Sequence, residues 1–218
     1  MTGTVKGPRV PPGSRQVQAR ATRRRIVEAA AKLFVDQGYA ATTLEQIAAG
    51  AGVAVQTVYF HFGNKRTVLA QVVDIAAVGD DQPVPVLDRP WVAQMRAAAD
   101  AATAVAIWCE HSAVIFARVA PILRIVRDAA TTDPDMAAQW HINQQQRRTA
   151  HQMLAQHLAE RGALRPDLSV EQATDILFAL ISLELYVLLT NDCDWAPDRW
   201  QTWTTRTTLD AVVREQAT

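Results

Sequence analysis

The sequence predicts an all-α protein made of a small N-terminal head and a larger helical body. Three observations predict it. Apolar residues recur at helical spacing, glycines and capping hydroxyls punctuate those runs, and no segment alternates apolar and polar residues between hairpin turns as a strand would. The expected organisation is a basic disordered arm over 1–19, a three-helix helix-turn-helix domain over 20–65 and a helical domain over 66–218.

The first helix is read over Arg23 to Gln37, where Ile26, Ala30, Leu33 and Phe34 form one apolar stripe. Gly38 follows at the position where a helix end favours a left-handed backbone. A second helix starts at a capping box, either Thr42 with Glu45 or Thr43 with Gln46, with Thr43 preferred. Leu44, Ile47 and Ala48 then face inward, and the small run Ala49 to Gly52 permits a close helix approach and a sharp turn. Val53 to Phe62 is the third helix, with Val58 and Phe62 on its buried side. Asn64 is placed to cap a fourth helix that begins at Lys65 and runs past Leu69, Val72 and Val73. Two short helices joined by a tight glycine turn, TTLEQIAAGAGVAVQTVYFHFGNK, read as a DNA-binding helix-turn-helix.

Charge divides along the chain in the same way. The whole sequence of 218 residues is formally neutral, but residues 1–75 hold ten Lys or Arg against four acids, a net +6. The remainder, with twelve Arg against eighteen acids, carries −6. A basic head on an acidic body fits a protein of which one end meets phosphate.

Thr43, Gly52, Val53, Thr57, Tyr59, His61, Phe62 and Lys65, as they stand here, resemble the tetracycline-repressor (TetR) family of bacterial transcription regulators. The resemblance is specific over about residues 20–75. It is weaker in the C-terminal part, where LFALISLELYVLL and WAPDRWQTW look like the last two helices of many such proteins. It implies a dimeric repressor whose larger domain binds a small molecule. Two departures bear on the operator sequence: Ala54 stands where a capping serine is usual, and Gln56 replaces a small residue. A missing cap of this kind is worth about 1 kcal/mol.

The third helix is expected to enter the major groove and to present Val55, Gln56 and Thr57 to base edges. Gln56 can pair with adenine N6 and N7, and Val55 can meet a thymine methyl; both also fit a merely solvated face. Tyr59 and His61 are assigned to phosphate, as at the matching family positions, although His61 also fits as a packed histidine. Phe60 belongs to the same DNA-facing set. Lys65 adds charge to the free N–H groups of the fourth helix, and Thr43 is a candidate both as cap and as phosphate donor. The arm, with Arg9, Arg15, Arg20, Arg23, Arg24 and Arg25, either follows the minor groove or is a solvated tail.

Beyond Ala76 the segment VGDDQPVPVLDRP reads as a linker, because its prolines and aspartates stop helices. Helices then follow at about 91–110, 112–130, 134–161, 169–190 and 197–214. Gly162 ends the third of these, and Ser169 with Gln172 makes a capping box for the fourth. The 169–190 helix is apolar nearly all round, so it needs cover on two sides. A second copy supplying one side is favoured over a helix central to a monomer, because a twofold dimer sets two heads about one duplex turn (~34 Å) apart. The expected interface is Leu177, Ile181, Leu185, Leu188, Trp200, Trp203 and Thr207.

For the effector, the family architecture implies a cavity lined by Trp108, Cys109, Phe116, Trp140, Met153 and Phe178, suited to an apolar or aromatic guest, though such residues are also ordinary core. Glu184, buried by pattern, is expected to pair with an arginine such as Arg118 or else to meet a cationic ligand. The fourth helix is the expected lever between ligand and DNA. Expected partners are a palindromic duplex operator, a second copy of the chain and an effector, with no membrane, since Ile176 to Leu189 is interrupted by Glu184 and shorter than the roughly 20 residues of a span. The N-terminal residues lack the apolar core of a secretory signal, and two distant cysteines suggest reduced thiols, so the cytoplasm is the expected location. No cofactor, metal site or enzyme activity is expected: the five histidines have no HExxH spacing, and CxxC, GxSxG and Gly-rich phosphate loops are absent. A DNA-binding activator or architectural factor without an effector is the competing reading.

Overall fold

The computed structural model describes residues 12–80, 82 and 84–214. The chain divides into two units, Met1–Val72 and Val73–Thr218. The protein is all-α, and among the described residues the one β feature is an isolated bridge between Leu164 and Val213.

In the first unit α1 spans Pro12–Gln37, α2 Leu44–Ala51 and α3 Val55–Phe62, and α4, Lys65–Val78, begins there. The arm expected over 1–19 is therefore shorter. From Pro12 onward the backbone is helical, with proline at the first helical position, where its missing N–H costs nothing. Gly13 and Ser14 suggested coil, but Arg15 to Arg20 are good or fair helix formers that extend a helix nucleated elsewhere. The part of that expectation over 1–11 lies outside the described residues.

The core of this unit holds most of the predicted residues and adds Val27 and Val68. Ile26, Val27, Ala30 and Phe34 of α1 meet Leu44, Ile47 and Ala48 of α2, Val58 and Phe62 of α3, and Val68 and Leu69 of α4, all buried. Leu33 is half-buried. Thr43 caps α2 in a full capping box with Gln46, and Asn64 Oδ1 accepts from the Thr67 N–H at 2.9 Å to start α4. Gly52, at φ 63°, ends α2 in the left-handed conformation that the turn requires. Gly50 sits against α1 so closely that a Cβ there would lie 3.3 Å from Ala29 Cβ.

The second unit holds α5 Pro90–Arg96, α6 Ala101–Ala129, α7 Pro134–Glu160, α8 Val170–Leu180, α9 Leu183–Val187 and α10 Pro197–Val212, with a π-helical turn over Leu188–Asp192. Two breaks differ from the expected helices. The first falls at 97–100 instead of near 111, because Asp100 accepts from the Thr103 N–H at 2.7 Å and so caps α6. The second divides 169–190 at Ile181–Ser182, where Ser182 Oγ accepts from the Leu185 N–H at 3.1 Å and begins α9. The predicted Ser169–Gln172 box and the Gly162 stop, at φ 63°, are both present.

By length and composition alone, α6 and the stretch Val170–Asp192 are apolar enough to cross a membrane. Within this fold both stretches supply side chains to the body core, including Val105, Trp108, Phe116, Leu177 and Tyr186. The far end of α10 is fastened by the isolated bridge, in which the Arg165 N–H donates to the Val212 carbonyl at 3.0 Å and the Arg214 N–H to the Ala163 carbonyl at 2.9 Å.

Candidate functional site

Helix α3 is eight residues long and turns Val58 and Phe62 inward, four positions apart on one face. That spacing leaves Gln56, Tyr59 and Phe60 exposed and Val55, Thr57 and His61 half-buried. Phe60 is 86% exposed, with His61 as a ring neighbour, edge-on at 5.3 Å. The residues of α3 predicted to face DNA are thus the six that Val58 and Phe62 leave at least partly open to solvent. The N-terminus of α3 is uncapped: Ala54 contributes no side-chain hydrogen bond, as its methyl group dictates.

Thr43 and Lys65, which flank α3 in the chain, differ from one another. Thr43 is exposed, and its Oγ1 accepts from the Gln46 N–H at 3.2 Å, which leaves the hydroxyl proton as a donor. Lys65 is turned into the head. Its Nζ donates to the carbonyls of Tyr39 and Thr42, each at 2.8 Å, and lies 4.3 Å from the centre of the Tyr39 ring. The ammonium thus ties the start of α4 to the loop that precedes α2, a packing role that the sequence did not reveal.

Thr42, read only as a rival cap, is fully buried and donates from Oγ1 to the Gly38 carbonyl at 2.7 Å. Gln37 Nε2 donates to Thr42 Oγ1 at 3.2 Å and to Gln46 Oε1 at 3.0 Å, which fixes the α1–α2 corner. The Arg23 guanidinium lies 5.0 Å over the Phe62 ring and donates to Gln71 Oε1.

In the body, the six residues assigned to a cavity do not share one environment. Trp108, Cys109 and Phe116 are buried core, and Trp140, Met153 and Phe178 are half-buried. Phe116 belongs to an aromatic group with Tyr186 and Trp200, in which ring centres lie 5.1 to 5.7 Å apart. Burial pushes the Cys109 thiol up to about 11, so it stays protonated and unreactive. Trp108 instead faces a residue that was counted only among unassigned histidines. The rings of Trp108 and His151 lie 6.0 Å apart, and His151 is 6.3 Å from Phe178.

Burial drives the His151 pKa down to about 3, helped by the Arg147 charge one helical turn away. Glu184 pairs with Arg147 at 2.9 Å and not with Arg118, whose guanidinium bonds the Ala77 carbonyl. Burial works to raise the Glu184 pKa, but the Arg147 charge and hydrogen bond, with help from Gln144, outweigh it and leave the pKa lowered.

The expected dimer face needs correction. Leu177, Ile181 and Trp200 are fully buried within the protomer and cannot meet a second copy. Leu177 and Ile181, four positions apart on one face of α8 and its C-cap, and Trp200 of α10 all turn into the body core instead of outward. Leu188 is 47% exposed, and Leu185, Trp203 and Thr207 are half-buried.

Comparison with known proteins now bears on the head. Residues 26–72 match the family of bacterial regulatory proteins, tetR family. Residues 26–72 carry a TetR-family head. The TetR-type head is similar to the HTH-type transcriptional regulator TtgW of Pseudomonas putida, 49% identical over 55 residues, which is 25% of this chain and 41% of TtgW. The chain thus spans less than half the length of the curated relatives that it matches.

Likeness of fold extends beyond the TetR-type head. NalD, the secondary repressor of the MexAB-OprM multidrug efflux pump in Pseudomonas aeruginosa, superposes with a TM-score of 0.69 at 24% identity over 92% of this chain and 100% of NalD. SmeT of Stenotrophomonas maltophilia, in complex with triclosan, does so with a TM-score of 0.70 at 23% identity over 89% of this chain and 93% of SmeT. At these identities the body shares their fold.

Proposed function

We propose that the protein is a cytoplasmic transcriptional regulator that binds a palindromic duplex operator as a homodimer and is released by a small apolar or aromatic ligand. The observation that carries the reading is α3 itself. A rigid eight-residue helix, held from below by Val58 and Phe62, offers Gln56 and Thr57 for base edges and Tyr59 and His61 for phosphate, beside the Thr43 hydroxyl. Sequence asymmetry supports it, since the positive charge is concentrated with this helix.

The repressor roles named for NalD and SmeT, and the triclosan held by SmeT, support repression and ligand release here. The pairing surface is assigned to Leu185, Leu188, Trp203 and Thr207, the members of the expected face that retain exposed area. Nuclease footprinting of the purified chain on its own genomic fragments tests the reading. The expected result is a twofold-symmetric protected site with half-sites about one duplex turn (~34 Å) apart, lost on combining Gln56→Ala with Tyr59→Phe. Absence of any protected duplex at low ionic strength would falsify it.

A further inference from the structure

Four buried aromatic nitrogens of the body lack a hydrogen-bond partner among the described residues, those of Trp108, His151, His157 and Trp200, and two of them lie on neighbouring rings. These two are Trp108 Nε1 on α6 and His151 Nδ1 on α7, on residues 2% and 3% exposed. A buried polar atom left in this state costs about 1–3 kcal/mol, so the pair calls for a chemical reason. The protonation state of each can be assigned. Indole nitrogen only donates. His151 Nε2 lies 3.2 Å from the Ile181 carbonyl, which only accepts, so Nε2 carries the hydrogen. Because burial keeps the ring neutral near pH 7, Nδ1 is then a bare lone pair. The core thus presents one donor and one acceptor on rings whose centres are 6.0 Å apart and inclined at 55°. A hydroxyl is the small group that answers both, since it accepts and donates through one oxygen.

The surroundings narrow the class further. Phe178 lies 6.3 Å from His151, and Trp91 lies 5.3 Å from Trp108 in an edge-on arrangement. Phe178 and Trp91 are half-buried beside the two buried rings, so the cluster reaches the edge of the core. Arg147, the cation whose charge acts on His151, stacks 4.1 Å over Phe178 and pairs with Glu184 at 2.9 Å, so its charge is balanced although its Nε has no hydrogen-bond partner. An anionic guest would turn its charge toward the His151 lone pair without gaining a free cation. A cationic guest would meet the Trp108 N–H and the Arg147 charge.

We propose that this cluster binds an uncharged aromatic ligand bearing a hydroxyl, a phenol-class molecule, whose O–H donates to His151 Nδ1 and whose oxygen accepts from the Trp108 Nε1–H. The assignment rests on the reading of the body as a ligand-receiving domain and gives that ligand its chemistry.

Titration calorimetry on the full chain without DNA tests it with three probes of one ring system: 2-naphthol, naphthalene and 2-naphthoate. The expected result is 2-naphthol bound at least about tenfold more tightly than either of the others, within the range that two satisfied buried polar atoms supply. His151→Phe and Trp108→Phe should each reduce the naphthol-to-naphthalene ratio to about twofold or less, since each removes one of the two partners. The ratio is measured within one variant, so a general loss of affinity does not mimic the effect. If one variant does not fold, by circular dichroism, the other variant and the unsubstituted chain decide.

Equal affinity for 2-naphthol and naphthalene, no binding of 2-naphthol up to its solubility, or an unchanged ratio in the folded variants overturns the proposal. Operator release is scored separately. Selective binding of 2-naphthol without release would count against ligand-relieved repression and leave this assignment standing. Release by guests with no preference for a hydroxyl would do the reverse.

Discussion

The head and the body treat their buried polar groups in opposite ways. In the head, buried Thr42 donates to a backbone carbonyl, and Lys65 satisfies two more. In the body lie all the buried side-chain nitrogens and oxygens without a partner among the described residues, those of Trp108, His151 and Trp200 included. The difference teaches that the head is closed by its own backbone, as the proposed DNA-reading role would require. The body keeps hydrogen-bonding capacity in reserve at its centre, as a domain that completes itself with something else would.

The comparison can be broken most forcefully at Trp200. If it is protomer core, Trp200→Ala should cost about 3–5 kcal/mol in denaturant unfolding, independent of protein concentration. A loss that faded on dilution would return the residue to the subunit interface. Next in size is Lys65→Met, which removes two charge-assisted bonds to carbonyls and should cost about 1.5–3 kcal/mol, read by hydrogen exchange of the head amides in the full chain. Unchanged protection, with DNA affinity lost, would show that Lys65 serves phosphate and not the fold.

His151 sharpens the same contrast through pH. Its pKa is about 3 when folded against an ordinary value of 6.5, so between those values the unfolded chain binds the extra proton. Stability should therefore fall as pH is lowered from about 6.5 toward 3, by up to about 1.4 kcal/mol per pH unit from this group. Subtracting the profile of His151→Phe isolates it, and parallel profiles would refute a neutral buried ring. The smallest effect is a gain: Ala54→Ser supplies the cap that α3 lacks and should raise head stability by about 1 kcal/mol in thermal melts.

The head was legible because its signals are local. Thr43 with Gln46, Gly38, Gly52 and Asn64 each determine backbone geometry within a few residues, and Val58 and Phe62 mark the face that is lost to solvent. What stayed hidden there depends on distant partners: the Lys65 ammonium finds carbonyls 23 and 26 residues earlier in the chain.

The body hid its breaks inside runs that favour helix. Ala97 to Ala99 conceal the start that Asp100 imposes, and Ser182 interrupts an apolar run whose residues all suit a helix. Leu177, Ile181 and Trp200 were given to an outer face because a helix that is apolar nearly all round does not show by periodicity which of its sides its own domain covers. His151 went unassigned because the run before it, Gln144 to Thr149, is polar and its environment is assembled by Trp108, Phe178 and the Ile181 carbonyl, which lie outside α7.

Gly50 gives the head a built-in feeler gauge. Alanine there would gain about 1 kcal/mol of helix propensity, yet its methyl group would press on Ala29 at a distance that neighbouring helices seldom tolerate without shifting by tenths of an ångström. The melting point of Gly50→Ala therefore reports the stiffness of the scaffold that aims α3. A rise means that α1 and α2 can slide apart, and a fall means that the spacing between them is fixed to within the size of a hydrogen atom.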